Sequence, residues 1–83
     1  MRYTIVITGA TKGLGKALTK EYIQLGHIVV GCGRSFKSIE SMSNSYTINS
    51  DFQVVDISNF EQVCSWSKDV INRFGPPDFL LNN

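Results

Sequence analysis

The chain has 83 residues, of which 42% are hydrophobic and 18% are charged, and its net charge is +1. This length suffices for one small domain, and the balanced charge gives no surface typical of nucleic-acid or membrane binding. Two cysteines and one histidine lie far apart in the sequence, which predicts neither a disulfide framework nor a metal site. No apolar run approaches the roughly 20 residues that cross a membrane. We therefore expect a reduced, cytoplasmic protein that binds no metal, nucleic acid or membrane.

Strand-like and helix-like segments alternate along the first half of the chain. The β-branched run Tyr3–Thr8 predicts a short strand that is buried on both faces. Apolar residues at helical spacing over residues 13–25 predict an amphipathic helix, which Gly26 ends. The next three segments are a strand, a short helix and a polar loop, over residues 27–32, 34–42 and 43–50.

The second half of the chain continues the same alternation. Residues 52–56 predict a third strand. Ser58 opens the best-defined helix, since Ser58 and Glu61 have the spacing of a capping box. That helix ends at Phe74, because the glycine and two prolines that follow cannot continue it. A fourth strand begins in residues 78–81.

The order β-α-β-α-β-α-β predicts an α/β fold. Such alternation is typical of a parallel sheet with right-handed crossovers, here one mononucleotide-binding half of a doubly wound, or Rossmann, sheet. Trp66 falls off the apolar stripe of the last helix. We expect its side chain either to be partly exposed or to cover sheet surface that the rest of the chain leaves open.

A glycine-rich turn joins the first strand to the first helix. Gly9 permits a sharp exit from the strand, Gly13 lets the backbone approach a phosphate, and Gly15 lets the helix pack close to the sheet. Free amides at the helix start favour an anion, so the turn predicts a pyrophosphate site, with a plain structural turn as the alternative. The predicted binding residues of this turn are Thr8, Gly9, Thr11, Lys12, Gly13, Leu14 and Gly15.

The end of the second strand distinguishes NADP from NAD. An NAD-binding protein usually places a carboxylate there for the ribose 2′-hydroxyl. This chain has Arg34 and Ser35 after Gly33, and Lys12 adds a second cation. A guanidinium pairs with a 2′-phosphate through charge-assisted bonds, so NADP is favoured over NAD. The alternative is that both cations are solvated surface charges.

Two further polar residues have competing interpretations. Asp56 ends the third strand at the sheet edge where ligands bind, and it is placed to accept a hydrogen bond from the adenine amino group. The alternative is a turn or cap aspartate. His27 begins a strand after a helix end and is expected to be a surface or hydrogen-bonded structural residue.

Four motifs together resemble the short-chain dehydrogenase/reductase family. They are the glycine turn, Gly33-Arg34-Ser35, Asp56-Ile57 and Leu81-Asn82-Asn83, in that order along the chain. The resemblance implies an NAD(P)-dependent oxidoreductase whose Lys12, Arg34 and Ser35 contact the 2′-phosphate and whose Asp56 and Ile57 flank the adenine. It also implies that Asn82 and Asn83 begin the family's Asn-Asn-Ala-Gly motif, which lines the adenosine ribose and steadies the sheet.

The chain departs from that family in its catalytic residues. Members use a serine and a Tyr-x-x-x-Lys pair, and none of Tyr3, Tyr22 and Tyr46 is followed by lysine four residues later. We expect no catalytic residue in this chain, and interpret residues 1–83 as the N-terminal half of a Rossmann domain, truncated within the Asn-Asn-Ala-Gly motif. The expected function is the NADP(H)-binding segment of a reductase. The alternatives are a non-catalytic nucleotide-binding or interaction module and a functionless truncation product.

The fourth strand has a further consequence. Phe79, Leu80 and Leu81 would form an open apolar sheet edge, which is a template for pairing with another chain. We expect low stability or self-association through this strand.

Overall fold

The computed structural model describes every residue from Met1 to Asn83. Strands and helices alternate in the predicted order, and none of the helices is both long and apolar enough to cross a membrane. The strands are β1 (Thr4–Thr8), β2 (Ile28–Gly33), β3 (Ser50–Val54) and β4 (Phe79–Asn82). The helices are α1 (Gly13–Gln24), α2 (Phe36–Ser45) and α3 (Phe60–Phe74).

The four strands form one parallel sheet in the order β3-β2-β1-β4. The register aligns Val6 of β1 with Val30 on one side and Leu80 on the other. From β1, the chain adds β2 and then β3 on one side of the sheet, and β4 then pairs with the opposite side of β1. Right-handed crossovers therefore place α1 and α2 on one face of the sheet and α3 on the other. The α/β prediction is confirmed, and the strand order reverses between β1 and β4.

The core consists of two clusters, one on each face of the sheet. All five residues of β1 are buried, as the continuous β-branched run predicts for a central parallel strand. On the face of α1 and α2, Ile7 and Val29 pack against Ile39 and Met42 of α2. On the face of α3, a second cluster is formed by Val6, Val30, Cys32, Val55, Trp66 and Val70.

The second helix and third strand are displaced from their predicted bounds. Ser35 is the N-cap of α2, accepting a hydrogen bond from the Ser38 amide at 3.2 Å, and the helix continues through Ser45. The prediction of a loop over residues 43–50 is wrong at both ends, because β3 already begins at Ser50. The serines of this segment interrupt the apolar spacing by which a helix is recognised in a sequence. In the structure, the buried Ile39 and Met42 pack the helix against the sheet.

The start of α3 also differs from the prediction. The capping box at Ser58 is wrong, since Asn59 is the N-cap and its side chain accepts a hydrogen bond from the Gln62 amide at 3.1 Å. Trp66 is only 8% exposed and packs on the sheet, so of its two expected placements it covers the sheet, and partial exposure is wrong. Phe60 instead lies 79% exposed in the first turn. The buried residues of this helix are Trp66 and Val70.

We expect the two isoleucines at opposite extremes of exposure to differ in their contribution to stability. Ile7 is fully buried in β1, whereas Ile48 is 74% exposed between α2 and β3. Ile7→Val should lower the free energy of unfolding by about 1 kcal/mol, because it leaves a small cavity. Ile48→Val, the matched control, should change it by less than about 0.5 kcal/mol. Urea denaturation followed by circular dichroism measures both, and equal midpoints would contradict this description of the core.

Candidate functional site

The turn between β1 and α1 brings three backbones into close contact. Gly9 and Gly13 have φ angles of +63° and +54°, in the left-handed region that glycine adopts without strain. Gly15 has an ordinary φ, yet a Cβ there would collide with the carbonyl oxygen of Gly9 and lie 2.6 Å from Nδ2 of Asn83. Glycine is therefore required at position 15 because no side chain has room there. It is favoured at position 13 because the backbone there adopts a positive φ.

The start of α1 leaves several amides free for an anion. The first hydrogen bond of this helix runs from the Lys16 amide to the Lys12 carbonyl, at 3.2 Å. The amides of Gly13, Leu14 and Gly15 precede that bond and have no acceptor within the helix. Apart from its chain neighbours and the backbone of its own helix, nothing lies within 4 Å of the position that a Gly13 Cβ would occupy. Open space in front of free amides at the positive end of a helix dipole is the arrangement that binds phosphate.

A hydrogen-bonded seam joins the end of β1 to the end of β4. The Thr8 hydroxyl donates to Oδ1 of Asn82 at 2.8 Å and accepts from the Asn83 amide at 3.1 Å. Nδ2 of Asn83 donates to the Gly9 carbonyl at 3.0 Å. These contacts fix the position of the glycine turn relative to the neighbouring strand β4. Thr8 and Asn82 therefore hold the turn in place and do not themselves line its open side.

The end of β2 lies beside the glycine turn. A Cβ at Gly33 would lie 3.0 Å from Cγ2 of Thr11, so glycine lets the two segments approach each other. The next residue, Arg34, lines the same cleft as Lys12, and neither cation forms an ion pair with a carboxylate. Ser35 also lines the cleft, and its side chain caps α2.

Asp56 follows β3 and is held by a local network. Its Oδ1 atom accepts hydrogen bonds from the Ser58 amide at 3.0 Å and from the Ser58 hydroxyl at 2.7 Å. The Ser58 hydroxyl is the largest cause that lowers the pKa of this carboxyl below its ordinary value, and the nearby charge of Arg34 lowers it further. Since the native pKa is lowered, the carboxylate stabilises the fold above the ordinary aspartate range, and that stabilisation is lost as the pH falls through the native pKa.

These segments together form a cleft of about 900 Å³ at the carboxyl ends of the strands. It lies within the size range of small-molecule sites, and it opens where the strand order reverses. Of the thirteen residues predicted for the site, ten line the cleft, namely Gly9, Thr11, Lys12, Gly13, Leu14, Arg34, Ser35, Asp56, Ile57 and Asn83. The other three, Thr8, Gly15 and Asn82, lie in the supporting seam.

Sequence reasoning missed four residues that also line the cleft, namely Cys32, Gly33, Val55 and Ser58. Gly33 belongs to the motif Gly33-Arg34-Ser35, and the other three directly precede or follow a motif at the end of a strand, so this proximity is the signal that identifies them. Cys32 is buried in β2, and burial raises the pKa of its thiol, so it is a poor nucleophile. His27 lies elsewhere, where its Nδ1 accepts a hydrogen bond from the Tyr3 amide at 3.1 Å, in a structural role.

A parallel sheet, a glycine-rich strand-to-helix turn and a cleft at the reversal of strand order define the class of nucleotide-binding α/β domains. Within that class, the family model for short chain dehydrogenase matches residues 3–83. The chain belongs to the short-chain dehydrogenase family.

Known relatives align with nearly the whole chain. The NADPH-dependent pterin aldehyde reductase of Arabidopsis thaliana is 33% identical over 82 residues, which cover 96% of this chain and 34% of the relative. The short chain dehydrogenase/reductase dpchG of Colletotrichum higginsianum is 39% identical over 83 residues, covering 96% of this chain and 31% of the relative. A crystal structure of a short-chain dehydrogenase from Streptomyces avermitilis superimposes with a TM-score of 0.92 at 25% identity, over 100% of this chain and 31% of that one. This chain thus spans about a third of the length of these relatives.

The seam between β1 and β4 can be tested with two threonines of the same strand. Thr8→Val removes the hydroxyl that bonds Asn82 and Asn83, and should lower the free energy of unfolding by about 1 kcal/mol. Thr4→Val, at the other end of β1, lies outside the seam and should cause a smaller loss. Urea denaturation compares the two variants, and a larger loss for Thr4→Val would contradict the role of Thr8.

Proposed function

We propose that residues 1–83 bind the adenosine and pyrophosphate portions of NADP(H), in a protein that transfers hydride between NADPH and a carbonyl or alcohol. The observation that carries this proposal is that free amides at the start of α1 and two unpaired cations line one cleft. In this assignment the glycine turn holds the pyrophosphate, while Asp56 and Ile57 flank the adenine. Asn83 lies beside the ribose, and Thr8 and Asn82 hold the turn in place.

The preference for NADP over NAD follows from the charges around the cleft. A 2′-phosphate requires cations, and Arg34 and Lys12 supply them, with Ser35 as a further contact. No carboxylate stands at the end of β2, where NAD-binding proteins usually have one. The relative from Arabidopsis thaliana, named as NADPH-dependent, supports the same preference.

The cofactor supplies the hydride of the proposed reaction, and this chain's residues bind and orient it. The left-handed glycines and the open space before Gly13 fit a phosphate group that approaches the backbone. We assign no proton transfer to these residues, since no tyrosine here has the lysine spacing of the family. Both cysteines are free, which supports a cytoplasmic location.

The cofactor proposal predicts a specific loss when the Arg34 guanidinium is removed. Arg34→Ala should weaken NADPH binding at least about tenfold, because charge-assisted bonds to the 2′-phosphate are lost, and should leave NADH affinity nearly unchanged. Lys20→Ala, which removes an exposed cation of α1 away from the cleft, is the matched control and should behave as wild type. Isothermal titration calorimetry with both cofactors measures the four affinities.

The outcomes of that titration separate the candidate functions. Equal binding of NADPH and NADH by the wild type would contradict the assignment of the 2′-phosphate site. Binding of neither cofactor would favour the alternative of a functionless product. Saturable binding without any further activity in the complete protein would favour a non-catalytic nucleotide-binding or interaction module.

The 83-residue chain alone should not turn over substrate. NADPH oxidation is followed by absorbance with a panel of ketones and aldehydes, at protein concentrations that saturate cofactor binding. We expect the rate to equal the rate without protein, because no tyrosine of this chain has the lysine spacing with which the family protonates the developing alkoxide. Protein-dependent turnover that is lost on heat denaturation would overturn this expectation.

We also propose that the isolated chain self-associates through β4. This strand pairs only with β1, and its Phe79 and Leu80 are 50% and 64% exposed. Leu80→Lys should shift the chain toward the monomer in sedimentation velocity, since the charge opposes edge pairing. Val54→Lys places the same charge at the other sheet edge, on a residue that is 44% exposed, and should leave the distribution unchanged. A monomeric wild type would contradict the proposal.

A further inference from the structure

A second groove lies between the open edge of β3 and one face of α3. It has a volume of about 710 Å³ and shares only Val55 with the cleft described above. β3 is the outermost strand of the sheet on this side, so no neighbouring strand fills the groove. The helix lines it with five residues that share one face, namely Gln62, Ser65, Trp66, Asp69 and Arg73.

The backbone of β3 leaves hydrogen-bonding groups unpaired along this edge. The Val55 amide donates to the Gly33 carbonyl of β2 at 2.9 Å. Successive residues of a strand direct their N–H and C=O groups to opposite sides, and β3 pairs in regular register with β2. The amides and carbonyls of Ser50, Phe52 and Val54 therefore point away from β2, where a further strand can pair with them.

The indole of Trp66 lines the groove and carries an unpaired donor. Trp66 is 8% exposed, and its Nε1 is the one buried side-chain nitrogen or oxygen of the chain without a hydrogen-bond partner. On the sheet side, the ring packs in a cluster of valines and Cys32, whose side chains hold no oxygen or nitrogen acceptor. A buried donor without an acceptor is destabilising. An occupant of the groove that supplies a carbonyl or hydroxyl oxygen removes this deficit.

The charges beside the groove favour a cation. Arg73 donates to Oδ2 of Asp69 from Nε at 3.1 Å and from Nη2 at 2.9 Å, and Nη2 also donates to Asp51 of β3. One guanidinium therefore faces two carboxylates and leaves one negative charge uncompensated. The side chain of Asp69 is 48% exposed, so a cationic group can approach it from solvent.

The dimensions of the groove match a short extended segment. From Gln62 to Arg73, the helix face is roughly 16 Å long at the rise of an α-helix, which is the length of about five residues of strand. In such a strand, every second side chain would face α3. The others would lie on the side of Val54, which shares a face of β3 with the buried Phe52 and is 44% exposed. The matching sequence alternates polar or cationic residues with apolar ones.

We propose that this groove binds an extended segment of another protein, which adds to β3 as a further strand and places a lysine or arginine beside Asp69. The backbone of the segment pairs with the free edge, and one of its oxygens accepts from the Trp66 indole. A second copy of this chain lacks the matching segment, because its own free edge strand, β4, is Phe-Leu-Leu-Asn and holds no cation. The inference does not depend on the proposed nucleotide binding, since the groove and the cleft share only Val55.

The test uses a peptide of this description, acetyl-Thr-Val-Lys-Val-Thr-amide, in which the lysine and the threonines share one face. In a nitrogen–proton NMR spectrum, the single tryptophan gives one indole signal, which reports on the groove. We expect this signal to shift in a saturable manner with added peptide, and the amides of Ser50, Phe52 and Val54 to become protected from exchange. The same peptide with glutamate in place of lysine should bind at least about threefold more weakly.

Three variants of α3 separate the contacts. Trp66→Phe keeps an aromatic ring but removes the N–H, and should weaken peptide binding about fivefold. Asp69→Asn removes the exposed charge, and should weaken binding of the lysine peptide about threefold and reduce its advantage over the glutamate peptide. Glu61→Gln removes an exposed carboxylate of the same helix outside the groove, and as the matched control should bind like the wild type. Circular dichroism checks that each variant is folded.

Each outcome supports or overturns the proposal. An indole signal that does not move at millimolar peptide, or that moves without protection of the three edge amides, would overturn strand addition at β3. Equal losses in Glu61→Gln and Asp69→Asn would overturn the placement of the cation. If Val54→Lys lowered the self-association of the chain, a second copy would be the occupant, and the assignment to another protein would be wrong. NADPH binding is measured separately, so its failure leaves this proposal standing.

Discussion

The close approach of β1, α1 and the end of β4 is the constraint on which the rest of the structure depends. Only a residue without a side chain fits at position 15, where the backbone of Gly9 and the amide of Asn83 meet. This contact sets how near α1 lies to the sheet, and hence where its free amides point. Because Asn83 and Thr8 hold the same junction by hydrogen bonds, one set of atoms fixes both the glycine turn and the reversal of strand order.

The parts of the fold that were predictable are those with an unambiguous local pattern. The run of β-branched residues in β1 is typical of a strand that is buried on both faces, and the glycine turn is typical of the passage from such a strand to a helix. The motifs at the strand ends were assigned correctly to one edge, because parallel strands place all their carboxyl ends together. Ten of the residues predicted from these motifs accordingly line the same cleft.

The parts that were not predictable depend on competition between neighbours. Serine and asparagine are both good N-cap residues, so the sequence does not distinguish Ser58 from Asn59. In the structure the Ser58 hydroxyl donates to Asp56, and Asn59 caps the helix. α3 therefore begins at Phe60, one residue later than a cap at Ser58 would place it. In α2, serines stand where stronger helix formers are usual, so the local pattern does not show that the helix continues to Ser45. The placement of Thr8 and Asn82 beneath the site likewise requires knowledge of the pairing between β1 and β4.

The burial of Trp66 gives this protein an internal fluorescence reporter on the α3 face of the sheet only. It is the sole tryptophan of the chain and lies between α3 and the valines of β1 and β2. All three tyrosines, Tyr3, Tyr22 and Tyr46, pack with the opposite cluster. Indole emission therefore follows detachment of α3, while phenol signals follow α1 and α2, so that the two layers can be observed separately during unfolding. If both helical layers detach together, the unfolding curves from indole and from phenol signals coincide. If α3 detaches first, the indole curve precedes the phenol curve.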